Sequence, residues 1–130
     1  MTVLDASAVL ALLLDEPSAD VVQEALNGAV LSNVSLAEVL AKLTDRGQDI
    51  DGRVDDLRSA GLHLEPVSRV DAEHSAQLRS QDHAHTLSLG DRCCLALGRR
   101  RSPSSADRCL RATANPAGCW PHRQRRSTGS

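Results

Sequence analysis

Apolar residues recur along residues 1–98 with two kinds of spacing. Some stretches are short and apolar or alternate every second residue, which is typical of strands, and others repeat every three or four residues, which is typical of helices. Short stretches rich in Val and Leu predict strands at residues 2–4, 29–32 and 62–67. Helical spacing predicts helices that begin near Ser7, Ser18, Ser35, Asp49 and Val70, and a further helix after Asp91. Strands that alternate with helices in this order predict an α/β fold with a small parallel sheet covered by helices.

The third predicted strand differs from the other two because it contains a proline. Pro66 has no backbone N–H and cannot donate a hydrogen bond to a sheet ladder. We therefore expect either that this strand lies at an edge of the sheet or that the strand ends at Pro66.

The composition changes abruptly near residue 98. Residues 1–98 hold 7 basic and 16 acidic side chains and every Val and Ile, whereas residues 99–130 hold 8 Arg, one acid and no β-branched aliphatic residue. Such a segment buries little apolar surface to offset the entropy of ordering it. We predict a domain at residues 1–98, a poorly ordered tail rich in Arg, Ser and Pro at residues 99–130, and a sheet that is incomplete at its C-terminal strands.

The aromatic residues, the apolar runs and the cysteines of the sequence argue against some classes of protein. Trp120 is the only aromatic residue, which argues against nucleic-acid binding by base stacking. No apolar run approaches the 18 or so residues of a membrane span, and no basic region precedes the longest run, residues 8–14. We therefore expect a cytoplasmic protein whose four cysteines are reduced thiols.

Three acids occupy positions where α/β proteins build sites. Asp5 ends the first strand, Glu38 lies in the helix after the second strand, and Asp91 lies at the start of a later helix. Ligands bind at the carboxyl ends of parallel strands, so these acids are expected to converge there. Carboxylates that meet repel one another and favour a divalent cation.

The same acids also fit a purely structural role. Both Ser35-x-x-Glu38 and Ser88-x-x-Asp91 match the capping box, in which a hydroxyl and an acid satisfy free backbone donors at a helix start. Asp5 precedes a helix and suits its N-cap. Spacing alone leaves both interpretations open.

The sequence motifs around the three acids resemble those of a known protein family. Val3-Leu-Asp5-Ala-Ser7, Ser35-Leu-Ala-Glu38 and Leu87-Ser-Leu-Gly-Asp91 occur in order over residues 2–98 and resemble PIN-domain ribonucleases, in particular VapC-type toxins of toxin–antitoxin pairs. The resemblance implies an α/β/α sandwich whose acids bind Mg²⁺ or Mn²⁺ and hydrolyse single-stranded or structured RNA. It also implies a cognate VapB-like antitoxin and a homodimer.

Position by position, the resemblance assigns Asp5, Glu38 and Asp91 as catalytic and metal-binding residues, with Ser7 in support. Ser105-Ala-Asp107-Arg108 echoes a fourth motif, so Asp107 is a candidate fourth ligand. The preceding Ser-Pro-Ser-Ser run does not favour the buried strand that would present Asp107, and no final strand is predicted after Arg108. We hypothesise that residues 99–130 are translated out of the ancestral reading frame.

The expected function is a Mg²⁺-dependent endoribonuclease that acts as the toxin of a type II toxin–antitoxin pair and is impaired by its divergent C-terminus. The alternative is a catalytically inactive PIN-domain remnant that still binds an antitoxin. A phosphoacceptor receiver-like domain is disfavoured, because that class needs a late lysine and Lys42 is the only lysine.

Overall fold

The structure, a computed structural model, describes residues 2–82 and 86–101 and the backbone of Cys109–Leu110. In chain order its elements are β1 (Val3–Leu4), α1 (Ala6–Leu13), α2 (Ala19–Leu26), β2 (Val30–Ser32), α3 (Asn33–Asp45), α4 (Arg53–Ser59), β3 (His63–Glu65), α5 (Arg69–Gln81), α6 (Leu89–Arg101) and β4 (Cys109–Leu110). The alternation confirms the predicted α/β class.

The described strands form one parallel sheet in the order β3-β2-β1-β4. Val3 of β1 lies in register with Val30 of β2, and Val30 lies in register with His63 of β3. The edge position predicted for the third strand is therefore confirmed. Because all strands run the same way, their carboxyl ends meet at one edge of the sheet.

The fourth strand lies in the segment for which the sequence predicts none. Cys109 pairs in parallel with Val3 across β1 and β4. The prediction after Arg108 was wrong because it relied on β-branched side chains, whereas a two-residue strand needs only backbone pairing. The division of the chain at residues 98 and 99 stays a prediction, although α6 continues to Arg101.

Helices cover both faces of the sheet. Leu4 and Leu31 point into a cluster with side chains of α1, α2, α3 and α4, whereas the neighbouring Val3 and Val30 pack against Leu97 and other α6 side chains. All four strand residues are buried, which is typical of a parallel sheet covered on both sides.

The end of α6 is tied to two other elements by ion pairs. Nε of Arg100 lies 2.9 Å from Oδ1 of Asp71 on α5, and Nη1 of Arg101 lies 2.8 Å from Oε1 of Glu65 at the end of β3. Two arginines that the composition places in the tail therefore hold α6 against α5 and the sheet.

The described cysteines agree with the sequence prediction at one position and differ from it at the other. Cys93 is free and buried, whereas Cys94 is disulfide-bonded. The prediction of reduced thiols is therefore confirmed for Cys93 and wrong for Cys94, because the cellular compartment alone does not determine which sulfurs the fold brings together. Across the described ranges, no helix is long and apolar enough to cross a membrane.

Candidate active site

Asp5 follows β1 directly and caps α1. Its Oδ1 accepts hydrogen bonds from Oγ of Ser7 at 2.7 Å and from the backbone N–H of Ala8 at 3.0 Å. The carboxylate is almost fully buried, with 3% of the residue exposed. Both the expected cap and the pairing of Asp5 with Ser7 are present, so Asp5 is held rigidly at the carboxyl edge of the sheet.

Asp91 lies in the first turn of α6 and forms a capping box with Ser88. The backbone N–H of Ser88 donates to Oδ2 of Asp91 at 3.0 Å, and the backbone N–H of Asp91 donates to Oγ of Ser88 at 3.1 Å. The predicted capping box is confirmed, and it orients the Asp91 carboxylate at the helix start.

Glu38 has no such structural task. The predicted box of Ser35 and Glu38 was wrong, because α3 begins at Asn33 and its N-cap is Ser32, whose hydroxyl accepts from Val34 and Ser35. Ser32 is the last residue of β2, and its hydroxyl occupies the N-cap position at the start of α3. Glu38 therefore lies inside α3, half-buried and unused by the helix cap.

Glu38 and Asp91 are brought together across α3 and α6. The pKa of Glu38 is raised by burial first and by the negative charge of Asp91 second, while the positive charge of Lys42 acts in the opposite direction. The Glu38 carboxylate rests against Gly90, where a Cβ would overlap Oε1 and lie 2.7 Å from Cδ. Two carboxylates thus share a partly desolvated position at the start of α6.

This pair suits a hard divalent cation. Mg²⁺ is held in proteins by one or two carboxylates together with waters. A cation would offset the burial and, second, the repulsion by Asp91, which together raise the pKa of Glu38. Within residues 2–82 and 86–101, no three His, Cys, Asp or Glu side chains gather closely enough to hold a metal. The structure therefore joins Glu38 to Asp91 without placing Asp5 in such a group, and Asp107 lies outside the described residues.

Topology nevertheless puts Asp5 at the same edge. Leu4 lies in register with Leu31, so Asp5 follows β1 at the level at which Ser32 leads from β2 into α3. Helices α1 and α3 also pack against each other. Asp5 and the helix that carries Glu38 are consequently neighbours at the carboxyl edge.

A buried thiol lies close to the acid pair. Cys93 is 3% exposed, and burial is the main cause of a raised pKa, to which the charges of Asp71 and Glu38 add. A hydrogen bond with Ser75 and the charge of Arg92 act in the opposite direction. Burial and the nearby acids therefore favour the neutral thiol.

A separate cavity of about 410 Å³ opens at the outer edge of β3. Its lining includes Arg58, His63, Glu65 and Arg101, and none of Asp5, Glu38 or Asp91. This cavity thus lies at a different place from the acids.

The family model of the PIN domain matches residues 2–119. The chain belongs to the PIN domain family. The match confirms the resemblance carried by the three acidic motifs and extends beyond them. No curated protein sequence matches the chain significantly.

Solved PIN-fold structures resemble the chain over most of its length. A toxin-antitoxin complex from Klebsiella pneumoniae has a TM-score of 0.64 at 21% identity and covers 90% of this chain and 88% of that chain. Mycobacterium tuberculosis VapC20, a sarcin-ricin loop cleaving toxin, has a TM-score of 0.66 at 14% identity and covers 90% of this chain and 93% of that chain. At these identities the likeness establishes the PIN fold.

The sequence did not single out Gly90 or the pair of Asp71 and Arg100. A glycine inside a helical pattern is a recognisable signal of close packing. The ion pair had no signal, because its partners are far apart in the chain and meet only when α5 packs on α6.

Proposed function

We propose that this PIN domain is a metal-dependent endoribonuclease that acts as the toxin of a type II toxin–antitoxin pair. The observation that carries the proposal is the convergence of Glu38 and Asp91 on one partly desolvated position. Burial first and the charge of Asp91 second raise the pKa of Glu38 there. A divalent cation would offset both effects.

In the proposed site Glu38 and Asp91 hold Mg²⁺ or Mn²⁺, with Asp5 as a third ligand and Asp107 as a fourth. Bound metal would supply electrostatic stabilisation of the charge that develops on the phosphate during hydrolysis. The protein contributes orientation: Ser7 and the α1 N-terminus hold Asp5, and Ser88 holds Asp91. Such preorganised ligands lose little freedom when the metal binds.

The fold neighbours support the proposed substrate and the proposed partner. VapC20 is a sarcin-ricin loop cleaving toxin and the Klebsiella structure is a toxin-antitoxin complex, which supports RNA as substrate and a VapB-like antitoxin as partner. Action on RNA in the cytoplasm and assembly as a homodimer belong to the same proposal.

The test is cleavage of a structured RNA by the purified protein with Mg²⁺, with Mn²⁺ and with a chelator. The variants are Glu38→Gln and Asp5→Asn, because Asn is as good an N-cap as Asp and preserves the start of α1. Glu24→Gln, an exposed acid on α2, is the matched control. Cleavage that needs metal, survives in Glu24→Gln and is lost in the other two supports the proposal.

The competing function is an antitoxin-binding domain without catalysis, which is favoured by the lack of a three-acid cluster among the described residues. A folded wild-type protein that cuts no RNA with either metal, and whose expression leaves bacterial growth unchanged, would replace the nuclease with this alternative. Equal cleavage by wild type and Glu38→Gln would contradict the assigned site.

A further inference from the structure

Gly90 is buried in the first turn of α6, directly against the carboxylate of Glu38. A Cβ built on Gly90 would overlap Oε1 of Glu38 and lie 2.7 Å from Cδ and 3.2 Å from Oε2. All three of the closest atoms belong to one carboxylate. The space that the missing side chain leaves is therefore filled by the end of Glu38.

The backbone at Gly90 does not itself require glycine. Four other glycines of the described chain have positive φ, which L side chains rarely adopt, but Gly90 is helical. Glycine within a helix costs about 1 kcal/mol relative to alanine. The reason for glycine at this position is thus space rather than conformation.

We propose that Gly90 is a positioning residue, whose missing side chain allows the Glu38 carboxylate to lie beside Asp91. The inference rests on the proposed function, since it concerns the same pair of acids. A side chain at position 90 would displace the flexible end of Glu38 rather than a backbone segment. It would separate the two carboxylates while leaving the packing of α3 and α6 intact.

Gly90→Ala is accordingly expected to separate stability from metal binding. Alanine favours the helix, so the thermal unfolding midpoint stays equal or rises. Mn²⁺ affinity, measured by titration calorimetry, falls about 10- to 100-fold, which is the usual cost of disturbing the support of a metal ligand. Leu89→Ala, which truncates an exposed side chain in the same turn, leaves the affinity unchanged.

A double-mutant cycle with Glu38→Ala tests whether Gly90 acts through Glu38. Glu38→Ala has no carboxylate to displace, so adding Gly90→Ala should weaken Mn²⁺ binding no further. A loss of affinity of similar size in both backgrounds would overturn the proposal, because it would show a general effect on α6.

Failure of the role proposed for Gly90 can be distinguished from failure of the proposed nuclease function. A wild-type protein that binds Mn²⁺ as tightly as Gly90→Ala leaves the proposed nuclease standing and overturns the role of Gly90. A folded wild-type protein that binds no Mn²⁺ overturns both. RNA cleavage by the same variants should follow Mn²⁺ affinity, with Gly90→Ala impaired and Leu89→Ala active.

Discussion

The carboxylate of Asp71, of which 1% is exposed, accepts a 2.9 Å hydrogen bond from Nε of Arg100. Asp71 also forms a capping box with Ser68 at the start of α5. One buried acid therefore both starts α5 and binds the end of α6, the helix that carries Asp91. This contact links the start of α5 to the end of α6.

Removing the arginine should destabilise the fold strongly. Arg100→Met leaves the Asp71 carboxylate buried without its countercharge, and we expect the free energy of unfolding to fall by about 3 kcal/mol. Arg99→Met, on the exposed side of the same turn, should change it by less than about 0.5 kcal/mol. Urea unfolding followed by circular dichroism measures both. Equal values for the two variants would contradict the role of the ion pair.

The same contact predicts how stability depends on pH. Burial alone would raise the pKa of Asp71, but the hydrogen bonds from Arg100 and Ser68 and the charge of Arg100 outweigh it and lower the pKa. Asp71 therefore stabilises the fold fully above its unfolded pKa of about 3.9, and this contribution is lost as the pH falls through the lower folded pKa.

The measurement is the difference in unfolding free energy between wild type and Asp71→Asn. It should be largest near neutral pH and shrink as the pH falls below about 4. Asp20→Asn, an exposed acid in the first turn of α2, is the control for the loss of one charge. A difference for Asp71→Asn that grows on acidification would refute the assignment.

The two roles of Asp91 should be separable by mutation. Ser88→Ala removes the capping hydroxyl and leaves every acid in place, so it should cost about 1 kcal/mol of stability and retain RNA cleavage. Asp91→Asn keeps an oxygen acceptor for the N–H of Ser88 but loses the charge. We expect little change in its stability and a loss of cleavage of more than about 100-fold. Parallel melting and cleavage assays would contradict this account if Asp91→Asn stayed active.

Metal should stabilise the wild-type protein through Glu38. At a metal concentration of about 100 times the Kd, a ligand that binds only the folded state adds about 2.7 kcal/mol. Glu38→Gln should lose most of this gain but match or exceed wild-type stability without metal, because the raised pKa shows that the charged form is disfavoured there. Thermal melts with MgCl₂ and with NaCl of equal ionic strength test this. An equal Mg²⁺ effect on both proteins would exclude Glu38 as a ligand.

Local patterns in the sequence were sufficient to predict the elements that rest on short-range contacts. The cap of α1 by Asp5, the box of Ser88 and Asp91, and the edge position of β3 were all predicted, because each depends on residues within a few positions of one another. The cap of α3 was misassigned because Ser32 and Ser35 offer equivalent hydroxyls. Because β2 ends at Ser32, the hydroxyl of Ser32 and not that of Ser35 caps α3.

Long-range contacts escaped the same reasoning. The fit of Glu38 against Gly90 and the pairing of β4 with β1 depend on which faces meet after folding. The acids of the proposed site were identified from their motifs, but the contact between Gly90 and Glu38 needed the three-dimensional arrangement. Periodicity describes each helix separately and does not specify what lies against it.

The most direct measurement of the central claim is anomalous diffraction from crystals of the wild-type protein grown with Mn²⁺. The account predicts a manganese peak within coordination distance of the carboxylates of both Glu38 and Asp91, with Asp5 oriented toward the same ion. Crystals in which Mn²⁺ occupies other sites while Glu38 and Asp91 contact only solvent would contradict it.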